Sequence, residues 1–310
     1  MRSGEFYSKG KLLISGEYFV LYGAKALAVP LKCGQKMIVD EVSQPGILEW
    51  KTIVLDKPWF TGRFRLMDMA ILDCSDQKTA IFIRDLLNKG GKLQPELHLT
   101  GKGFSIHNFI DFDLRWGLGS SSSLVSNLAY WLDVNPYALY QTTYQGSGYD
   151  VFCARANRPI TYKLLDDHHE IHEVPFKPSF ADHLYFVYLG RKQDSQESVR
   201  KFRTKPLKDA KVIQQVSELT DAFINASCLE DFSSVIRQHE KTISDAIGRP
   251  VVKQEIFPDF EGDIKSLGAW GGDFVMAATS MSPDKVRDYF SGKNLPVIFN
   301  WAEIILNFDH

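Results

Sequence analysis

The sequence predicts an α+β fold in two domains, divided near residue 175, and three observations carry this. A chain of 310 residues suggests two domains, or one large one, with ample apolar material for a core. Its first half mixes short strand patterns with few helices, whereas its second half carries two long helical stripes. Strands and helices are thus largely segregated along the chain, the α+β pattern. Residues 1–175 are expected to form the N-terminal domain and residues 176–310 the C-terminal one.

Each element has a local reason. Residues 11–14 read as a strand ending at Gly16, and residues 35–42 alternate well enough for another. Residues 47–55 and 59–66 form a hairpin with Asp56-Lys57-Pro58 in its turn. Residues 80–88 have helical apolar spacing and stop at Gly90-Gly91, and residues 96–100 are a short alternating strand. Residues 120–133 are a helix entered through Gly117-Leu118-Gly119. Residues 136–144 are another, with Pro136 in its first turn. Residues 160–164 and 170–174 are strands flanking Asp166-Asp167-His168-His169. Residues 184–189 are continuously apolar, as a buried strand is. Val212, Val216, Leu219 and Phe223 share one helix face; Phe232, Val235, Ile236, His239, Ile243 and Ile247 share a second. Strands at 264–267, 274–278 and 297–299 and a helix at 284–290 complete the chain.

Composition excludes several classes. Lys and Arg total 36 against 38 Asp and Glu, so no net field favours nucleic acid or an anionic membrane. No apolar run approaches the ~18–20 residues that span a bilayer. Residues 1–10 lack the apolar stretch of a secretory signal, so a cytoplasmic protein is expected. Cys33, Cys74, Cys153 and Cys228 are scattered, with no C-x-x-C pair, and read as reduced thiols. His168, His169 and His172 show no ligand pattern and belong to an exposed hairpin. Trp59, Trp116, Trp131 and Trp301 read as packing residues, since no basic stripe accompanies them.

The strongest signal is Gly117-Leu118-Gly119-Ser120-Ser121-Ser122-Ser123 before an apolar helix. Glycines let backbone amides approach a ligand, serines add hydroxyls, and the helix aims its positive end at the loop. This suits the phosphates of a nucleotide. No G-x-x-x-x-G-K-[ST] occurs, which rules out a Walker loop, and the run is not G-x-G-x-x-G.

G-L-G-S-S-S-S resembles the second motif of the GHMP kinases (galactokinase, homoserine kinase, mevalonate kinase and phosphomevalonate kinase), P-x-G-x-G-L-G-S-S-A, without its leading proline. Residues 8–23, with Lys11 and Glu17, resemble the family's first motif; Lys9 replaces its Pro and Tyr18 its His. Gly268-Ala269-Trp270-Gly271-Gly272-Asp273 resembles the third, with Trp270 where glycine is usual, a substitution expected to narrow the pocket or alter substrate choice. Gly146-Ser147-Gly148-Tyr149-Asp150-Val151 resembles the G-S-G-F-D-V segment of phosphomevalonate kinases. Residues 136–145 lack the acid that many members place upstream of this Asp to bind magnesium.

The resemblance implies ATP and Mg2+ as cofactors and a small-molecule acceptor, mevalonate or phosphomevalonate first, with homoserine or a sugar as alternatives. A GHMP-fold protein that binds a ligand without catalysis, or a decarboxylase of the same fold, are further alternatives. Asp150 and Lys11 become the catalytic pair. Gly117, Leu118, Gly119, Ser120, Ser121 and Ser122 hold ATP, with Ser121 on the metal. Glu17, Ser147, Gly148, Gly271, Gly272 and Asp273 face the acceptor. Arg191, Lys192 and Ser195, after the buried strand, suit a substrate phosphate or carboxylate, or else form a solvated charged loop. The implied fold has a first domain like the second domain of ribosomal protein S5 and a ferredoxin-like second, with the active site between them. A monomer or homodimer is expected, with no nucleic-acid or membrane partner.

Overall fold

The computed structural model describes residues 3–94, 101–166, 168–191, 195–204 and 209–308. Its larger sheet comes from the first half: β1 (Gly4–Ser15), β2 (Ala26–Val42), β3 (Ile47–Val54), β4 (Lys57–Arg65), β5 (Ala70–Cys74), β6 (Gly103–Ile110), β7 (Ile160–Leu164) and β8 (His169–Glu173). The order is β5-β4-β3-β6-β2-β7-β8, with β1 on β2. The β3–β6 pair is parallel. The long β2 pairs with β1 along most of its length, with β6 at its C-terminal half and with β7 at its start. Helices α1 (Gln77–Leu93), α2 (Ser120–Leu132), α3 (Pro136–Gln141) and α4 (Tyr149–Cys153) follow. All four contribute to a core built on Met37, Leu48, Trp50 and Phe64, α4 through Val151.

Three local expectations change. The β3–β4 turn is Leu55-Asp56, both at positive φ (47° and 61°), a two-residue turn whose twist matches the strands. Pro58 lies inside β4 opposite Ile53, beside a bulge. Helix α1 runs through Gly90-Gly91 instead of stopping there: a Cβ at Gly90 would stand 2.4 Å from Leu132 Cδ1. Close packing on α2 outweighs the ~1 kcal/mol that glycine costs within a helix. Helix α3 ends at Gln141, not 144. The expected strand at 96–100 lies outside the described residues.

The second sheet comprises β9 (Leu184–Tyr188), β10 (Asp263–Leu267), β11 (Phe274–Ala278) and β12 (Ile298–Asn300), in the order β10-β11-β9-β12. Every pair is antiparallel. Its helices are α5 (Ser195–Arg203), α6 (Ala210–Asn225), α7 (Leu229–Ile247), α8 (Val252–Ile256), α9 (Pro283–Gly292) and α10 (Trp301–Ile304). This is a ferredoxin-like β-α-β-β-α-β arrangement with extra helices in the first crossover. Along β9, Leu184, Phe186 and Tyr188 enter one core and Tyr185 and Val187 another, so both faces are covered and the run is uninterruptedly apolar.

The two sheets share a core. Leu12, Ile14 and Val29 of the first pack in one cluster with Phe186, Phe223 and Met276 of the second half. Ile305 bridges back to Leu31 of β2, and Leu306 N donates to Pro30 O (3.1 Å). Among the described residues no helix is long and apolar enough to cross a membrane.

Candidate active site

The Gly/Ser loop folds as its composition demands. Gly117 (φ 66°) and Gly119 (φ 98°) adopt left-handed conformations that favour glycine. Gly119 is the N-cap of α2 and offers no side-chain cap, so the first N–H groups of a 13-residue helix are left for a ligand. The loop lies on β1. Lys11 N donates to Leu118 O (2.9 Å), and a Cβ on Gly119 would stand 3.2 Å from Lys11 Cγ and Cε. The hydroxyls divide. Ser122 is buried and donates to Gly119 O (3.0 Å), while Ser123 donates to Gln35 Oε1 (2.6 Å). Ser121 is exposed, and its hydroxyl holds down the Tyr144 phenol that burial pushes up. Leu118 is in the core and contributes only backbone.

Lys11 and Asp150 line one cleft. Asp150 stands in the first turn of α4, entered through Gly148 at φ 87°, where a Cβ would strike the Tyr137 ring. Burial pushes the Asp150 carboxyl upward, and the Lys11 charge pulls it back. Lys11 Nζ sits 5.5 Å from the Tyr149 ring centroid. Ser147 lines the cleft, while its carbonyl accepts from Tyr162 Oη (2.5 Å). The cavity volume is about 110 Å3, room for about eight water-sized groups.

The far wall comes from the other half of the chain. Gly268, Ala269 and Asp273 line it, with Ser198 and Val199 of α5. The Asp273 carboxylate packs on Gly117, where a Cβ would overlap Oδ2. Gly271 and Gly272 are buried in the turn closed by Gly272 N to Ala269 O (2.9 Å) and do not line the cleft. Trp270 does not narrow the pocket. It is 2% exposed, its ring lies in the second sheet's core, and its Nε1 donates to Pro250 O (3.1 Å). Its backbone N donates to Tyr18 Oη (2.8 Å), tying this turn to the first motif. Tyr18 itself is at φ 62°, ψ −45°, with Phe19 N bonded to Glu17 O (2.7 Å): a positive-φ γ-turn, rare and strained. Arg191 is exposed beside Gly271; Lys192 lies outside the described residues, and Ser195 opens α5.

Glu17 is a wall residue whose carboxylate is already engaged. It is 2% exposed, and Oε1 accepts from Lys265 Nζ (2.7 Å), itself wholly buried. Glu240 Oε1 is 3.8 Å from the same Nζ and accepts from Ser266 N (3.1 Å). His239 Nε2 is 3.3 Å from Glu17 Oε2 and 3.4 Å from Gly16 N, so no single tautomer serves both. Burial and Lys265 both push His239 down, so it is neutral. Burial raises Glu240 to about 8 against the pull of Lys265. Burial raises Glu17 as well, against the same pull, so one lysine faces two carboxyls that both resist ionisation.

Sequence reasoning missed a second cavity, about 480 Å3, beside Ser120 and Ser121. Trp59, Phe82, Thr52 and Asn108 line it. Trp59, expected to pack, is 49% exposed here. The signal was strand parity: Phe60 and Phe64 face the core, which turns Trp59 outward. Trp116 lines the cleft, whereas Trp131 and Trp301 are core residues as expected. His169 stacks against Tyr162 and meets its hydroxyl (3.1 Å). Among the described residues no three His, Cys, Asp or Glu side chains converge to hold a metal.

A scan against protein-family models and a search of curated proteins find no match. Solved structures do match. Methanococcus jannaschii mevalonate kinase aligns with a TM-score of 0.69 at 16% identity, covering 99% of each chain. Streptococcus pneumoniae phosphomevalonate kinase, in complex with phosphomevalonate and AMPPNP, gives 0.70 at 16%, covering 96% of this chain and 99% of that one. Lactococcus lactis galactokinase complexed with galactose gives 0.67 at 12%, covering 96% and 92%. The fold is therefore the two-domain GHMP kinase fold.

Proposed function

We propose that this chain is an ATP-dependent kinase of a small acceptor, mevalonate or phosphomevalonate. The observation that carries the reading is that Lys11 and Asp150 line one cleft while the Lys11 side chain lies against Gly119, the uncapped start of α2. The fold's likeness to mevalonate, phosphomevalonate and galactose kinases supports it. ATP phosphates would lie on the α2 N–H groups, with the base in the cavity beside Trp59, and the acceptor between Lys11 and Asp150. The acceptor oxygen forms a bond to the γ-phosphorus as the bond to the ADP oxygen breaks. Asp150, when ionised, takes the proton of an acceptor hydroxyl, and Lys11 offsets developing charge. Magnesium fits as the nucleotide's own counter-ion. Ser121 Oγ would hold it, and among the described residues no carboxylate cage forms, which suits an ion that keeps its waters and phosphate ligands.

The test is ADP release with ATP, Mg2+ and a panel of mevalonate, phosphomevalonate, homoserine and galactose. Turnover with mevalonate or phosphomevalonate is expected. Release confined to homoserine or galactose would replace the acceptor, and none with any acceptor despite bound ATP would remove the kinase reading.

A further inference from the structure

Helix α5 supplies Ser198 and Val199 to the cleft wall, yet it is anchored through one ring. Among its described side chains Phe202 alone is buried, while Glu197, Arg200, Lys201 and Arg203 are exposed. The Phe202 ring enters the core of the second sheet and lies against Tyr18 (centroids 4.9 Å apart), Phe19 (5.5 Å) and Tyr22 (5.9 Å). One short segment, residues 18–22, thus makes the seat into which α5 docks.

The seat is fixed from the other half of the molecule. Tyr18 Oη accepts from Trp270 N (2.8 Å), and the adjacent Glu17 is bonded to Lys265 Nζ (2.7 Å). Burial pushes the Tyr18 phenol up, and the Trp270 N–H and the Ser198 hydroxyl pull it back, so the phenol also feels α5. Tyr18 stands at φ 62°, ψ −45°, which a tyrosine rarely adopts. Such strain persists only where surrounding bonds over-determine it, and it collects at ligand clefts. Tyr18 lines the cleft itself, beside the turn at residues 268–273 and the α5 side chains it holds. We propose that Tyr18 is a positioning residue: it ties α5 and that turn to the segment after β1, so that α5 closes the cleft over the bound acceptor. This rests on the kinase reading given above. A cleft left open admits water. Its oxygen then bonds the γ-phosphorus as the bond to the ADP oxygen breaks, giving ADP, inorganic phosphate and a proton, with no phosphorylated acceptor.

The test uses the full chain and two variants. Tyr18→Phe removes only the hydroxyl, and Phe202→Ala removes the anchoring ring from a helix whose other described side chains are at least partly exposed. Hydrogen exchange reads α5 without nucleotide or acceptor, so it does not depend on turnover. Both variants are expected to speed exchange at residues 197–203 by about fivefold or more, the worth of one hydrogen bond, while the amides of β9 and β11 keep wild-type rates. Turnover is followed with mevalonate and phosphomevalonate, counting ADP, inorganic phosphate and phosphorylated acceptor separately. The acceptor KM should rise about tenfold with the ATP KM unchanged, and more inorganic phosphate should appear per ADP. Phe202→Leu should recover part of each effect. Exchange of α5 unmoved in both variants overturns the positioning role, and so does faster exchange with acceptor KM and phosphate release both at wild-type values. Faster exchange in a chain whose wild type phosphorylates no acceptor would sink the kinase reading alone. Wild-type turnover with unmoved exchange in both variants would sink the positioning role alone.

Discussion

Lys11 and Glu17 stand in one stretch of sequence and do opposite things. Lys11 ends in an open cleft beside an uncapped helix, where its partner Asp150 is half-buried. Glu17 ends in a sealed cluster whose lysine, histidine and second glutamate come from α7 and β10. The first arrangement leaves donors and charge unspent, which is what a ligand needs. The second spends them on the contact between the halves of the molecule. A motif shared by charged residues is therefore half chemistry and half architecture, and burial tells the halves apart.

Removing charge from each region should separate them. Asp150→Asn is expected to have the largest effect, about 10^2–10^4-fold on turnover in the ADP-release assay, with ATP affinity nearly unchanged. Its urea midpoint should not fall, because burial disfavours the carboxylate already. Lys265→Met should invert this pattern, costing about 3–5 kcal/mol in urea unfolding by stranding buried carboxylates. A small loss there would mean the cluster is not structural.

Lys11→Met sharpens the open side. Lys11 lowers the raised Asp150 pKa, so its loss should move the acid limb of the kcat profile to higher pH; an unmoved limb would dissociate the pair. Glu240→Gln sharpens the closed side, with the smallest effect. The Glu240 pKa is about 8 when folded against an ordinary 4.5, so between these values the folded chain holds a proton that the unfolded chain has lost. Its contribution is full below pH 4.5 and is lost as pH rises towards 8, with a slope of at most about 1.4 kcal/mol per pH unit. Glu240→Gln should flatten that slope in urea melts taken across the range.

What the sequence made legible follows from what is local. The entry to α2 and the β9 run are written in neighbouring residues, through glycine at left-handed positions and unbroken apolarity. The motif resemblance sets Glu17 at the acceptor; its partner Lys265 is remote in sequence, so its burial and pairing have no local trace. Gly90 looked like a helix stop because Leu132, which requires it, lies on another helix.

The pairing of Leu31 with Ile305 has a kinetic consequence. Residues near the two ends of the described chain complete one core, so its closure waits on contacts of very high sequence separation. Chains of that topology fold slowly, because loop entropy is lost before the distant contacts repay it. During synthesis β2 would emerge long before residues 301–308, leaving Leu27, Val29 and Leu31 uncovered until the last stretch arrives. Truncation there should harm yield and refolding more than its few residues suggest.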